Sequence, residues 1–355
     1  MVAILHALST ILLSLTAPVD ERRVRSATTN DYNNMVTWLN NTFDKSFVSQ
    51  SIELLPSERG GHGLFAKESI EAGSLLFSVP REACITASTV FNDGDYGKAC
   101  QNLIKKAGPG AFTVGLAGYL AKEYLCYLEG EDVDFGPYLV TLPWKRNINE
   151  QEHVLFWTED EIQTYLPGSL CFKECIDLRT EVKTAKKILN SLCGPSVLKA
   201  RGEWVEEKPI IPFLEFTKPP PPTVQENVSG LGRAVTGAFV ILLTRAFNDD
   251  FDNQIKAMTG EEESERLIPL LDMLNHNSEP SITYSTNEEG SVEVRARKNI
   301  ELGDEIYNCY RKEEELNMPY HRFFSRFGFV PGISEPMKNL LQDKSSIFFA
   351  KRKEV

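Results

Sequence analysis

Two β-rich stretches held apart by a long helical block most constrain the fold of this 355-residue chain. Short strand patterns at Ile52 to Leu55, Leu64 to Ala66 and Leu75 to Val79 are punctuated by Gly60-Gly61, Gly63 and Glu71-Ala72-Gly73. Near residue 111 the period changes: Phe112, Leu116, Leu120 and Tyr124 share one helical face, and further helical patterns follow at about 159–166, 171–193 and 229–247. From Leu267 the chain turns β-rich again, at Ile282 to Ser285, Val292 to Ala296 and Glu305 to Cys309, with Gly290 and Gly303 at turns. Either three units follow in series or one β-domain is split by a helical insertion, and periodicity does not choose between them. A short helix is expected ahead of the first strands, capped by Asp31, with Met35, Trp38 and Leu39 on one face.

Charge and cysteine content narrow the function classes. With 38 Lys plus Arg against 50 Asp plus Glu, the net charge of −12 argues against a general nucleic-acid binder, which needs a basic surface. Cys84, Cys100, Cys126, Cys171, Cys175, Cys193 and Cys309 form no CxxC pair, so neither a disulfide framework nor a four-ligand zinc site is expected. Cys171 and Cys175, at helical spacing, read as half-buried core thiols rather than metal ligands. Residues 2–15 are apolar but too short to span a bilayer comfortably and lack a basic n-region, so 1–26 reads equally as a signal or transit leader or as a misassigned start or amphipathic helix. The triplets at Asn40 and Asn227 carry glycans only in a secreted chain. The run Lys218 to Pro222 is a polyproline linker or loop, and the acidic clusters at 261–265 and 313–315 read as solvated loops.

The usual catalytic signatures are missing: there is no GxSxG, HExxH, Walker loop or post-strand GxGxxG, and histidines number five. Three local features stand out, each with a bland reading of its own. Gly60-Gly61-His62-Gly63-Leu64 reads as a plain turn, Asp272-Met273-Leu274-Asn275-His276 as an Asx-type turn, and Gly303 to Tyr310 as a turn and strand with a packing tyrosine.

Their order changes that. Gly61-His62-Gly63-Leu64-Phe65-Ala66, Ile70 to Gly73, Val79-Pro80, Asp272 to His276, Gly303-Asp304-Glu305 to Tyr310 and Phe327-Gly328-Phe329 together resemble the SET-domain protein methyltransferases. The likeness is to the Rubisco methyltransferase-like branch, whose SET domain is split by a helical insert. Phe135 to Pro143, Leu155 to Glu161 and Thr244-Arg245-Ala246-Phe247 are similar to motifs of that branch, and the resemblance covers about residues 35–331.

The resemblance implies an α+β fold: a SET β-fold made from 31–110 and 267–332, a mainly helical insert at 111–266, and a solvated tail at 333–355. It implies S-adenosylmethionine as cofactor, with the Gly61 to Gly63 loop, including His62, on the methionine part, Arg245 on the carboxylate, and Asn275 with His276 on the adenine and amino groups. Asp272 would brace that turn, and Tyr310 would orient the nucleophile in a channel that includes Phe327 and Phe329. The implied reaction is methyl transfer to a protein lysine, by a chain with no metal, no direct nucleic-acid partner and no membrane span, acting as a monomer in cytoplasm, nucleus or plastid. Two departures keep other readings open. Phe327 stands where the branch carries tyrosine, and only 24 residues follow Pro331, so the C-terminal substrate lobe is expected to be absent. A weak or inactive SET module that binds a protein, and a histidine N-methyltransferase, are the alternatives.

Overall fold

The computed structural model describes residues 26–145, 153–202, 229–249, 253–260, 264–310, 318–333, 337–343 and 345–349. The leader, the polyproline run, the triplet at Asn227, the cluster at Glu313 to Glu315 and Lys351 to Lys353 lie outside them wholly or in part.

Helix α1 (Thr29–Thr42) buries Met35 and Leu39. Its N-cap is Thr28, and Asp31 is the third helical residue of a capping box, its carboxylate accepting from the Thr28 backbone at 2.7 Å. The expected cap is thus displaced by three residues, because the threonine hydroxyl and the acid satisfy each other's backbone donors.

Strands β1 (Phe47–Val48), β2 (Ile52–Pro56), β3 (His62–Ala66) and β4 (Leu75–Val79) follow. Helices then begin at α2 (Ala87–Phe91) and α3 (Gly94–Ala107), earlier than the change of period expected near residue 111. The first is a five-residue turn of helix burying Ala87, Val90 and Phe91; the second buries Tyr96, Cys100 and Ile104 at four-residue spacing, a helical pattern the sequence reading passed over. Next come α4 (Ala111–Leu128), α5 (Gly136–Leu139), α6 (Glu159–Tyr165), α7 (Phe172–Ala200) and α8 (Ser229–Arg245). The pair β5 (Phe247–Asn248) and β6 (Glu265–Arg266) flanks α9 (Asn253–Thr259); then β7 (Ile282–Thr286), β8 (Val292–Ala296), β9 (Glu305–Ile306), α10 (Tyr320–Phe327) and α11 (Met337–Gln342) complete the order.

Both larger sheets mix strands from the two ends of the chain. The four-stranded sheet runs β1-β4-β8-β7 and the three-stranded sheet β2-β3-β9. Pairings Val79↔Val292 and Leu64↔Ile306, both antiparallel, join halves separated by the helices. The choice between serial units and a split β-domain is therefore made by strand pairing: this is one α+β fold with the helices intercalated.

The main core is continuous from Met35 through Phe77, Leu120 and Tyr138 to Val294 and Ile306. Tyr124 stacks on Trp144 at 4.0 Å, and α8 approaches Trp144 so closely that a Cβ on Gly237 would lie 2.5 Å from its carbonyl oxygen. A second core joins Val154, Trp157, Ile162 and Cys175 to Phe324, Val330, Leu341 and Phe348. The segment after residue 333 is accordingly not a solvated tail over its described part: Leu341 and Phe348 are fully buried, and the Phe348 carbonyl accepts from Leu170 at 2.7 Å. Cys171 and Cys175 are likewise fully buried rather than half-buried, and all seven cysteines are free.

Candidate active site

The site forms where three chain segments cross. Leu270 opens the turn with φ 70, a left-handed conformation that costs a non-glycine residue about 1–3 kcal/mol and persists only where the surroundings impose it. Leu270 is fully buried, and the strained turn carries Asp272 into the interior. Segment 275–277 then runs beside 308, with a parallel bridge His276↔Asn308 and Asn308 N–H donating to the Asn275 carbonyl at 3.0 Å. This crossing sets Tyr310 against His276: the Tyr310 N–H donates to His276 Nδ1 at 3.1 Å, and the ring centroids lie 5.2 Å apart.

Asp272, which is buried, pairs with the partly exposed guanidinium of Arg245. The Arg245 guanidinium donates to the Asp272 carbonyl at 2.5 Å and lies 3.7 Å from Oδ2, which also accepts from the Tyr138 hydroxyl at 2.8 Å. Burial pushes the Asp272 carboxyl up to about 6, while Arg245 and Tyr138 oppose that rise. Burial works most strongly against the Arg245 charge, but Asp272 together with Tyr310, Tyr32 and Tyr138 outweighs it, so the pKa is raised and the guanidinium stays protonated.

Two cavities meet at Arg245. The smaller, about 290 Å³, is lined by Tyr32, Gly60, Gly61, His62 and Trp144 with Arg245. His62 stacks on Tyr32 at 3.9 Å, and burial lowers its pKa. The larger, about 790 Å³, contains Arg245, Phe247, Asp272, Tyr284, Tyr310 and Phe327 in its wall. Arg245 is the residue common to both linings.

Tyr310 is fixed at both ends, its hydroxyl donating to the Leu274 carbonyl at 2.9 Å. Burial pushes that phenol up to about 12. Phe327 and Phe329 pack around it at 5.6 and 6.4 Å between ring centroids.

Of the residues singled out in sequence, Gly61, His62, Arg245, Asp272, Tyr310 and Phe327 line one cavity or the other. Phe329 supports Tyr310 from behind the larger cavity's wall. Gly63, Asn275 and His276 line neither. Gly63 leaves room for a carboxylate: a Cβ there would lie 2.2 Å from Glu305 Oε1. Glu305 accepts from Asn275 Nδ2 at 2.7 Å, the Tyr307 hydroxyl at 2.9 Å and the Ser57 hydroxyl at 3.0 Å, locking the glycine turn to the crossing. Sequence reading missed Tyr32, Tyr138, Trp144 and Glu305 as site residues. Gly136-Pro137 ahead of Tyr138 and the Asp304-Glu305 pair after a glycine turn were the available signals; nothing local marks Tyr32.

Residues 61–311 match the family model of the SET domain, and the chain belongs to the SET-domain family. It is 23% identical to N-lysine methyltransferase SETD6 of Homo sapiens over 295 residues, 81% of this chain and 51% of that protein. It is 22% identical to ribosomal lysine N-methyltransferase 4 of Saccharomyces cerevisiae over 315 residues, 84% of this chain and 55% of that one. The chain spans about half the length of these curated relatives. Its fold is similar to the SET domain of LSMT bound to lysine and AdoHcy, with a TM-score of 0.59 at 17% identity, covering 86% of this chain and 58% of that one. Rubisco LSMT bound to AdoMet gives a TM-score of 0.58, covering 85% and 57%. The split β-fold expected from the resemblance is thus the fold observed.

Among the described residues no helix is long and apolar enough to cross a membrane, and no group of three or more His, Cys, Asp or Glu is placed to hold a metal.

Proposed function

We propose that this chain transfers a methyl group from S-adenosylmethionine to the side-chain amine of a lysine in a protein substrate. The observation that carries the reading is a pair of cavities with Arg245 in the wall of both and Tyr310 in the wall of the larger. The named relatives are lysine methyltransferases, and the solved neighbours hold AdoMet, AdoHcy or lysine, which supports the same assignment.

The residues fit the cofactor. The smaller cavity offers a permanently charged guanidinium for the methionine carboxylate, whose two oxygens suit the planar fork. Glycine backbone at Gly60 and Gly61 lines the same cavity, so main-chain groups can approach a ligand closely. When bound, S-adenosylmethionine supplies an electrophilic methyl carbon on a sulfonium.

The chain's own groups do the rest. A lysine amine near pKa 10.4 is protonated at neutrality and must lose its proton before attack. The aromatic wall of Phe247, Tyr310 and Phe327 removes water from it and lowers that pKa through desolvation. Tyr310, with its phenol near 12, stays protonated and orients rather than deprotonates, so the proton leaves to water. The neutral amine held there would be aligned on the methyl carbon that a bound S-adenosylmethionine would supply, and that alignment is the chain's main contribution.

Calorimetry with S-adenosylmethionine tests the first half of this reading. Wild type is expected to bind, and Arg245→Met to bind at least about tenfold more weakly, the loss of one charged contact. Absence of binding by wild type would favour the protein-binding alternative.

A further inference from the structure

A third cavity of about 450 Å³ opens beside the larger one, and the two share Thr113, Leu243, Glu265 and Arg326. Its floor is apolar, formed by Leu178, Val182, Phe239, Leu242 and Leu243 from α7 and α8. Its polar groups are unequal in sign: Glu174, Glu181 and Glu265 stand against the single guanidinium of Arg326.

Those charges are not equally committed. Glu174 is engaged by Arg322 at 3.1 Å and by the Ser325 hydroxyl at 3.0 Å. Arg326 lies over the Phe327 ring, 5.4 Å from its centroid. Among the described residues the Glu265 carboxylate is hydrogen-bonded through Oε2 by the Thr113 hydroxyl at 3.1 Å, which fixes its orientation. Burial raises the Glu265 carboxyl, and the Thr113 hydroxyl and the Arg326 guanidinium only partly oppose that rise.

We propose that this side cavity takes an arginine of the substrate close to the acceptor lysine, its guanidinium on Glu265 and its stem on the Leu178 to Leu243 floor. An apolar slot ending in a half-buried carboxylate suits a long aliphatic stem with a weakly hydrated, planar cation at its tip. Continuity with the Tyr310 cavity requires the arginine and the acceptor to sit on one short segment. The chain's charge of −12 favours such a cationic segment. The inference rests on the reading that the larger cavity takes the acceptor lysine.

The test uses fluorescent peptides with one central lysine and a single arginine moved along either side, each paired with a citrulline peptide that keeps the shape without the charge. Binding is followed by anisotropy with S-adenosylhomocysteine present, and methyl transfer is measured separately on the same peptides. At one or two positions arginine is expected to bind about tenfold more tightly than citrulline, the scale of one charged pair. Glu265→Gln should reduce that ratio to near one, and Leu178→Trp, which fills the slot and leaves the carboxylate, should do the same. Equal binding of arginine and citrulline at every position, or a preference that survives both variants, overturns the proposal. Arginine-dependent binding without transfer sustains the side cavity and counts against the methyltransferase reading alone.

Discussion

Tyr138 donates its hydroxyl to Asp272 at 2.8 Å, a contact between the helical insert and the turn that holds Arg245. Both residues are buried, and the phenol shares with Arg245 the work of keeping a carboxylate in the interior. A buried carboxylate that loses a donor bears its desolvation, so Tyr138→Phe is expected to cost about 1.5–3 kcal/mol of stability. The same variant should weaken S-adenosylmethionine binding, because Arg245 loses its fixed partner geometry. Thermal melts and calorimetry on the same preparation check both halves; an unchanged melt would show that the contact carries no energy.

Asp272 also sets a pH dependence with two signs. Its carboxyl titrates near 6 when folded, against an ordinary value of 3.8, chiefly through burial. Between those values the folded chain holds a proton that the unfolded chain releases. Its contribution to stability is therefore greatest below 3.8 and declines as pH rises through 6, by about 3 kcal/mol at most. Cofactor affinity should move the other way, rising through pH 6 as the carboxylate forms and secures Arg245. Asp272→Asn is expected to flatten both profiles between pH 4 and 7, read by denaturant melts and by calorimetry across pH.

His153 opposes it over an overlapping window. Its Nδ1 accepts from Leu155 N–H at 3.2 Å, Nε2 faces the Arg326 carbonyl at 3.2 Å, and burial lowers the ring to about 4. Here the unfolded chain, with histidine near 6.5, binds the proton first. The contribution is fully present above 6.5 and is lost as pH falls toward 4, again by about 3 kcal/mol at most. His153→Gln should remove this loss on the acid side. It should also disturb Phe327, because the ring nitrogen's contact with the carbonyl of the preceding residue, Arg326, is lost.

Gly63→Ala is a sharper probe of the crossing. The new methyl would displace the Glu305 carboxylate from Asn275, yet the side chain is flexible enough to swing away. The variant is expected to stay folded and to lose about tenfold in cofactor affinity, the worth of one charge-assisted hydrogen bond. Glu305→Gln should reproduce the loss in part. An affinity equal to wild type in both would detach Glu305 from the site.

How much of this was legible in the residues follows from range. The strands at Leu64 and Val292 announced themselves through local alternation and glycine turns, and Arg245, Asp272, His276 and Tyr310 through motif order. Tyr138, Tyr32 and Glu305 did not, because each acts on a partner far along the chain: Tyr138 bonds a carboxylate 134 residues away. Helix α2 escaped because five residues are too short for a period, whereas α3 carried a readable one in Tyr96, Cys100 and Ile104 between Gly94 and Gly108. The docked residues of 337–343 and 345–349 escaped for a related reason, since Leu341 and Phe348 gain meaning only against Trp157 and Cys175.

The central claim is that Tyr310 serves a methyl transfer to lysine. Wild type and Tyr310→Phe, each with S-adenosylmethionine carrying a deuterated methyl, are incubated with cell extract, and labelled peptides are read by mass spectrometry. The wild-type label is expected on lysine side chains, and the variant, which keeps its cofactor affinity, is expected to transfer about 10²–10³-fold less, as when one fixed hydroxyl donor is removed. Label on histidine, equal transfer by both proteins, or no transfer by wild type would contradict the account.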